Sequence, residues 1–306
     1  MLTYSRLSRK PVSFRSFTGM TVQEFDILFS RVEREYARTE QERLSARKRE
    51  RRVGAGNQFK LTLKDRLLMH LVYYRLYVTY ELTGFLFGLD QSNVSRDIRY
   101  LEPAIRGCIP IPQKICANAK KASTVEQLLQ YFPDLMAFTD ASEQPIPRPQ
   151  YRTKRKTHYS GKKKYHTVKT QYTVNKDGKI MHKTRHSPGR RHDYSVYKIK
   201  HMTLPGSITS FLDLGYLGIQ NDFPQEDTVL PYKKQRGAKL DAEQKRFNRC
   251  HSKMRVVVEH TISKIKKFRI MWDRFRNRLC RYDVINDIIC GLVNLRIEQH
   301  NMIVVP

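Results

Sequence analysis

The chain has 306 residues, of which 40% are hydrophobic, so it is long enough to bury a sizeable core as one large domain plus a small one. It carries 58 Lys and Arg against 29 Asp and Glu, a formal charge of +29 that favours a polyanionic partner, nucleic acid first. The sequence contains no apolar run of membrane-spanning length and no signal-peptide pattern. The five cysteines fit neither a disulfide framework nor a paired metal motif, which predicts a reduced, cytoplasmic protein.

The first predicted element is a long helix that begins near residue 21. Thr21 and Glu24 have the spacing of a capping box, and apolar residues then recur at helical intervals. The sequence RKRERR at 47–52, followed by GAGNQ, interrupts this pattern with charge and glycine. We therefore expect a first region over 1–56 that consists of this helix and a basic connector.

Three shorter helices are predicted next, and together they define a second region over 57–125. The second and third are separated by a short turn at 89–91. The third helix places an apolar stripe on one face and Arg96 and Arg99 on the opposite face, a layout typical of a helix-turn-helix recognition helix. An ordinary three-helix bundle with solvated arginines has the same pattern, and the chain's charge favours the DNA-binding interpretation. The stripe consists of Val94, Ile98, Leu101 and Ile105.

Beyond residue 125 the pattern changes from helical to extended, and we predict an α/β domain with a mixed sheet over 126–306. Strands are predicted at 135–142, on both sides of a turn at Asn175 to Gly178, at 207–216 and at 227–233. Helices are predicted at 193–199, capped by Asp193, at 241–271, and at 280–301.

Three carboxylates have positions suited to a metal site. Asp140 and Asp213 each end an apolar strand, and Glu259 lies on a helix that can pack across that edge of the sheet. Three converging carboxylates need a strong positive charge, and hard oxygen ligands indicate two Mg²⁺ or Mn²⁺ ions that act on a phosphodiester. The structural alternative is that the aspartates cap turns and Glu259 pairs with Arg255.

Several motifs in one order resemble the DDE transposases of bacterial insertion sequences, family five and its relatives. They are DASEQPIPRP, YSGKKKYHTVK, Gly189 with His192 and Asp193, DLGYLG, NRCHSKMRVVVEHTISKIKKFR and GLVNL. The resemblance covers most of the chain. It implies an RNase H-like core of the retroviral-integrase type, preceded by an all-α helix-turn-helix domain. It also implies a metal-binding, catalytic triad of Asp140, Asp213 and Glu259.

The family signature around the glutamate is Tyr, two residues, Arg, three residues, Glu, six residues, Lys. Arg255, Glu259 and Lys266 match it, whereas Ser252 stands at the tyrosine position. The short interval between Asp213 and Glu259 predicts a core without the large β insertion of some relatives. Arg255 and Lys266 project from the same side of the helix as Glu259, and we expect them to position DNA phosphates.

A basic segment at 148–164 contains eight Lys or Arg and two tyrosines beside the first aspartate's strand. Such a run is usually a solvated loop, but its position favours phosphate contact by Lys162, Lys163 and Lys164.

The sequence thus predicts a transposase that binds double-stranded DNA, both the terminal inverted repeats of its own element and the target. It would hydrolyse phosphodiesters and transfer strands. Holding two DNA ends together requires a dimer or larger homo-oligomer, acting near the bacterial nucleoid. Two alternatives are open: a transposase-derived protein that binds DNA without cutting it, and a DDE nuclease without strand transfer.

Overall fold

The computed structural model describes residues 1–45, 58–122, 124–201 and 203–304, which form two compact units. The first unit contains the described residues from Met1 to Pro110 together with Lys267–Asp273. The second runs from Ile111 to Lys266 and continues from Arg274. The units divide before the boundary predicted at residue 125. The predicted basic connector at 47–52 lies outside the described residues.

The first unit is all-α in its described part, with the predicted long helix as its third element. At the start of that helix, the Thr21 N–H donates to Glu24 Oε2 at 2.7 Å and the Glu24 N–H donates to Thr21 Oγ1 at 3.1 Å. The predicted capping box is therefore confirmed. The helices are α1 Tyr4–Leu7, α2 Pro11–Thr18, α3 Val22–Ser45, α4 Leu63–Leu76, α5 Tyr80–Phe87 and α6 Gln91–Cys108.

Helices α4, α5 and α6 confirm the three helices predicted from 65 to 106. Thr62 and Thr79 cap the first two through their hydroxyls, and Gly88 ends α5 in the left-handed conformation at φ 69°. The predicted apolar stripe of α6 is fully buried. Arg66 of α4 ties this unit together, because its Nε donates to Asp97 Oδ1 at 2.6 Å and its Nη1 donates to the Tyr36 hydroxyl at 2.8 Å.

The short segment Lys267–Asp273, far from Pro110 in sequence, also belongs to the first unit. Arg75 at the end of α4 donates to the carbonyl of Lys267, and its guanidinium lies 5.9 Å from the ring centre of Phe268. Phe268, Ile270 and Met271 are buried. The first unit is therefore built from two separate stretches of the chain.

The second unit is a mixed α/β structure, as predicted. Its helices are α7 Pro112–Ala119, α8 Val125–Leu129, α9 Arg152–His158, α10 Asp193–Lys200, α11 Ile219–Asp222, α12 Ala242–Lys266 and α13 Tyr282–Val304. Its strands are β1 Met136–Pro145, β2 Tyr159–Ser160, β3 Tyr165–Asn175, β4 Ile180–Lys183, β5 Ser187–Pro188, β6 Thr209–Phe211 and β7 Thr228–Val229.

The strands form one mixed sheet in the order β2-β3-β1-β6-β7, and β4 and β5 also pair with β3. β1 is antiparallel to β3 and parallel to β6, which is parallel to β7. The predicted β3–β4 hairpin is confirmed: the Gly178 N–H donates to the Asn175 carbonyl at 3.0 Å, and Gly178 has a positive φ of 80°. A side chain would be strained in that left-handed conformation.

Helices α12 and α13 anchor to this sheet through apolar and amide side chains. Val258, Ile262 and Ile265 are the buried stripe of α12. From α13, Asn294 accepts from the Ile180 N–H at 2.7 Å and donates to the Ile180 carbonyl at 3.0 Å. The asparagine of the GLVNL motif thus satisfies both backbone groups of Ile180, the first residue of β4.

Several details of the predicted elements are wrong. The strands predicted at 207–216 and 227–233 are only Thr209–Phe211 and Thr228–Val229. β1 extends to Pro145 because nine of its residues pair with β3, so Asp140 lies within the strand and not at its end. The predicted helix over 241–271 ends at Lys266. His192, not Asp193, is the N-cap of α10. Helix α9 occupies part of the basic segment predicted as a loop.

Between Asp213 and Glu259 the chain holds one 3-10 turn, the short α11 and β7, and the start of α12. The expected absence of a large β insertion is confirmed over this fully described interval.

Candidate active site and nucleic-acid interface

Strand register brings Asp140 and Asp213 to the same level of the sheet. β1 and β6 run parallel with Phe138 opposite Phe211, and each aspartate is two residues further along its chain. β6 ends at Phe211 while β1 continues, paired only with β3 on its other side. The two carboxylates therefore flank the point where the parallel pairing ends, and side chains at such an edge face a crevice.

Asp140 is a partly buried carboxylate, and the cation beside it, Arg255, lies beyond hydrogen-bond distance. Its Oδ1 accepts the Ala141 N–H at 2.8 Å and lies 3.9 Å from Arg255 Nη2. Burial raises the pKa of Asp140, the Ala141 N–H and Arg255 oppose that rise, and the charges of Asp213 and Asp193 add to it. Burial and the neighbouring carboxylates both disfavour the charged form of Asp140, so another cation would stabilise it.

Asp213 is held by the turn that follows β6. Its Oδ1 accepts the Gly215 N–H at 2.8 Å and caps the 3-10 turn Leu214–Tyr216. A Cβ at Gly215 would lie 2.8 Å from that same oxygen, so the glycine leaves room for the carboxylate. Gly218 has a φ of 94°, a conformation that favours glycine. Both glycines of the DLGYLG motif thus have a local structural reason.

Glu259 is exposed on α12, one turn beyond Arg255. In the described part of the chain Arg255 forms its ion pair with Asp140 and not with Glu259, so the structural alternative of an Arg255–Glu259 pair is wrong. Among the described residues, no group of three His, Cys, Asp or Glu side chains has an arrangement that could hold a metal ion. The structure thus brings Asp140, Asp213 and Arg255 together and leaves Glu259 outside that group.

Lys266 is close enough to Asp140 and to Lys163 for both charges to act on it. Burial and the charge of Lys163 lower the pKa of Lys266, while Asp140 raises it. Lys162, Lys163 and Lys164 are all exposed in the turn between β2 and β3. Ser160 fixes this turn, because its hydroxyl accepts the Lys163 N–H at 3.2 Å and its carbonyl accepts the Lys164 N–H at 2.8 Å.

A second cluster of charged side chains lies around Asp193, and the sequence patterns did not indicate it. Lys169 Nζ is buried and lies 2.7 Å from Asp193 Oδ1 and 3.5 Å from Glu143 Oε1. Gly189 approaches β3 so closely that a Cβ there would lie 1.7 Å from Thr167 Oγ1. The spacing of Gly189, His192 and Asp193 supported the resemblance, but the spacing alone did not indicate what each residue does.

On α6 the two predicted DNA-contacting arginines are exposed, away from the buried stripe. Arg96 donates from Nη2 to Asn93 Oδ1 at 2.9 Å and from Nε to the Ser92 carbonyl at 3.3 Å. Arg99 lies one turn further along the same exposed face. The exposed side of α6 thus presents two cations and an amide, groups that bind base edges and phosphates.

These features define a nuclease-type enzyme that carries its own DNA-binding domain, and comparisons with known proteins agree. Residues 139–294 match the DDE superfamily endonuclease family, and residues 59–110 match the helix-turn-helix of DDE superfamily endonuclease. The chain is 32% identical over 239 residues to the probable transposase for insertion sequence element IS702 of Microchaete diplosiphon. That match covers 78% of this chain and 82% of the relative. No solved structure matches the chain.

The chain therefore belongs to the DDE transposases of insertion sequences. The family match over residues 59–110 confirms the helix-turn-helix interpretation of α4 to α6. Assignment to family five stays a prediction. DDE endonucleases in general use divalent metal ions. None of the described helices has the length and apolar content needed to cross a bilayer.

Proposed function

We propose that this chain is an insertion-sequence transposase with an RNase H-like core, which binds the terminal inverted repeats of its element, cleaves them and transfers the strands. The observation that carries the proposal is the register of β1 and β6, which sets Asp140 beside Asp213 at the end of their parallel pairing. The family match over the same region supports the assignment of these carboxylates to catalysis.

Asp140, Asp213 and Glu259 are the residues that would hold divalent metal, Mg²⁺ or Mn²⁺. The donor set suits such an ion, since its oxygens are hard ligands and the pKa of Asp140 is raised partly by Asp213. Glu259 would have to join the two aspartates, and its exposed position on α12 leaves its carboxylate accessible to solvent. When bound, a pair of ions would activate a water or a 3′-hydroxyl and stabilise the leaving oxygen.

Arg255 and Lys266 would bind and orient the DNA backbone at this site. Arg255 Nε is buried and has no acceptor among the described residues, so a phosphate oxygen would complete its hydrogen bonding. Lys266 would regain ionic stabilisation from a phosphate, since burial and Lys163 disfavour its charge in the free protein. The exposed turn Lys162 to Lys164 would extend this contact along the backbone.

Helix α6 would recognise the ends of the element in the major groove. If Arg96 and Arg99 read bases there, Arg96→Ala or Arg99→Ala should lower the preference for the element's end over random DNA by about 1–3 kcal/mol. Competition binding with labelled end DNA measures this preference. An unchanged preference in both variants would exclude base reading by this face.

The decisive experiment tests the three carboxylates together with matched neighbours. Asp140→Asn, Asp213→Asn and Glu259→Gln should each abolish Mg²⁺-dependent nicking of end DNA while melting temperature and end binding are retained. Glu243→Gln, an exposed glutamate in the first turn of the same helix α12, and Asp177→Asn in the exposed β3–β4 turn serve as controls that should nick normally. A folded Glu259→Gln protein that nicks at the wild-type rate would remove Glu259 from the site.

The same preparations separate the proposed transposase from its alternatives. Joining of a cut end to a second DNA distinguishes strand transfer from simple nuclease action, and loss of nicking with intact binding distinguishes both from a binding protein. Because strand transfer must hold two ends, the active species should be a dimer or larger, which light scattering of the protein–DNA complex would measure.

A further inference from the structure

A strongly basic cavity of about 740 Å³ lies in the second unit, beside α9 and the first residues of β3. Its volume is in the range of about 300–1,000 Å³ that is typical of sites for small organic ligands. Four of its lining side chains are cations and none is acidic, so it suits an anion. The side chains that line the cavity are Arg148, Arg155, Lys156, Tyr159, His166 and Arg190.

One lining residue has a hydrogen-bond donor that the protein leaves unused. Arg155 Nε is buried, and no acceptor for it exists among the described residues. Buried polar groups are nearly always paired, so an unpaired donor on the wall of a cavity indicates a missing acceptor. A phosphate oxygen is the acceptor that best fits a guanidinium among three further cations.

An aromatic ring forms another part of the wall. Tyr159 is 42% exposed although β2 pairs it with His166 of β3. The two rings meet edge to face, with centroids 5.6 Å apart and planes at 74°. This contact fixes the tyrosine ring while leaving much of its surface open. Exposed aromatic faces of this kind stack on nucleic-acid bases.

We propose that this cavity binds one unpaired nucleotide of the DNA, with its base stacked on Tyr159 and its phosphates held by Arg155 and the neighbouring cations. The proposal rests on the proposed function, since it takes DNA as the substrate. Bases inside a duplex already stack on one another, so a ring in a cavity can meet a base face only when that nucleotide leaves the stack. Binding the backbone of a paired duplex would need only exposed cations such as lysines, and no aromatic ring in a cavity.

The position of the cavity predicts where the unpaired nucleotide lies. β3 runs from His166 at the cavity to Tyr172, which is directly opposite Asp140. Six residues of strand span roughly 20 Å. That length corresponds to about six base pairs of a duplex. The unpaired nucleotide is therefore expected within about six nucleotides of the phosphodiester that Asp140 would act on.

The test measures binding of the full-length protein, without divalent metal, to three DNAs of one sequence. The first is fully paired, the second has one unpaired nucleotide, and the third has an abasic residue at that unpaired position. Wild type should bind the second about tenfold more tightly than the first, and the abasic change should remove most of that gain.

Variants assign the gain to the ring. Tyr159→Ala should lose the preference for the unpaired nucleotide, and Tyr159→Phe should keep it. Tyr165→Ala is the matched control, because Tyr165 is 44% exposed, lies on the neighbouring strand and does not line the cavity. All three should bind the fully paired duplex as wild type does. A fluorescent base analogue at the unpaired position should be quenched by wild type and not by Tyr159→Ala.

The outcomes separate this inference from the function on which it rests. Equal affinity of wild type for paired and unpaired DNA would overturn the nucleotide site and leave DNA cleavage as proposed. A Tyr159→Ala variant that keeps the full preference would overturn it as well. Failure of wild type to bind any of the three DNAs would overturn both proposals.

Discussion

Each unit of this protein contains an arginine beside an aspartate, and the two pairs differ in closeness and in burial. In the first unit Arg66 Nε lies 2.6 Å from Asp97 Oδ1, and both side chains are almost fully buried. In the second unit Arg255 Nη2 lies 3.9 Å from Asp140 Oδ1, and 27% of the aspartate side chain is exposed. The first pair makes a hydrogen bond; the second lies beyond that distance.

The difference separates a structural charge pair from one at the proposed active site. Arg66 also donates to Tyr36, and its guanidinium lies 3.6 Å from the ring centre of Phe59. Its charge is therefore stabilised by other residues of the first unit. The pKa of Asp140 is instead raised by burial and by the charges of Asp213 and Asp193, and Arg255 lies beyond hydrogen-bond distance from it. Breaking a closed buried pair destabilises a fold, whereas an open pair keeps its ligand atoms available.

The largest expected effect on stability comes from breaking the closed pair. Asp97→Asn leaves the charge of Arg66 buried and uncompensated, which should lower the free energy of unfolding by about 3–5 kcal/mol. Urea unfolding followed by circular dichroism measures the loss. Asp90→Asn, at an exposed position one residue before α6, is the matched control and should change stability by less than about 0.5 kcal/mol.

A double replacement makes this prediction sharper. Arg66→Met combined with Asp97→Leu removes both charges, and such a replacement of a buried ion pair is often neutral. It should recover most of the stability lost in Asp97→Asn. If Asp97→Asn alone unfolds like wild type, the pair does not hold the first unit together.

His182 of β4 provides a contrasting case, a half-buried base whose charged neighbours include Lys183 and Lys120. Burial lowers the pKa of His182 to about 4, and Lys183, His201 and Lys120 act in the same direction. The unfolded chain, with an ordinary value of 6.5, therefore binds this proton more readily. Stability should fall as pH drops from above 6.5 towards 4, by about 3 kcal/mol from this group.

The measurement is the free energy of unfolding against pH for wild type and His182→Gln. The variant's curve should be flatter over that range, whatever its absolute stability. His260→Gln, which changes an exposed histidine of α12, should leave the wild-type slope intact. Parallel curves for wild type and His182→Gln would show that this histidine titrates normally.

The smallest expected effect has the opposite sign to Asp97→Asn and concerns Lys266. Its pKa is lowered by burial and by Lys163, so the folded protein bears an unfavourable charge at neutral pH. Lys266→Met should therefore raise the melting temperature slightly, because it removes a charge that burial disfavours. The gain should shrink as pH approaches the ordinary lysine value of 10.5, where the unfolded chain also loses the proton.

The same variant should cleave DNA more slowly without losing activity, because Lys266 would position phosphate and not hold metal. Lys264→Met, an exposed change on the same helix, is the control for both measurements. A Lys266→Met protein that melts below wild type would show that the charge stabilises the second unit.

Local patterns made much of the fold predictable. The capping box at Thr21, the stripe of α6 and the Asn175 to Gly178 turn each depend on residues a few positions apart, and all were confirmed. The end of β1 was not predictable in the same way. Its length is set by pairing with β3, a partner that begins twenty residues later in the chain.

The candidate site was predictable only in part for the same reason. Apolar runs that end near Asp140 and Asp213 indicated neighbouring strands, and the register agrees with that. Asp97 is buried on the helix that exposes Arg96, but its partner Arg66 lies on another helix and the pattern of α6 alone does not indicate it. The basic cavity depends on α9, β2 and β3 coming together, so the charge run alone could not reveal it.

The segment Lys267–Asp273 has a practical consequence for dissecting this protein. It contributes buried Phe268, Ile270 and Met271 to the first unit, although it follows α12 of the second. A gene fragment that stops at Pro110 therefore encodes an incomplete DNA-binding unit with an uncovered apolar surface beside Gly19 and Arg75. Separating recognition from cleavage in the laboratory thus calls for point substitutions in the whole chain and not for truncation.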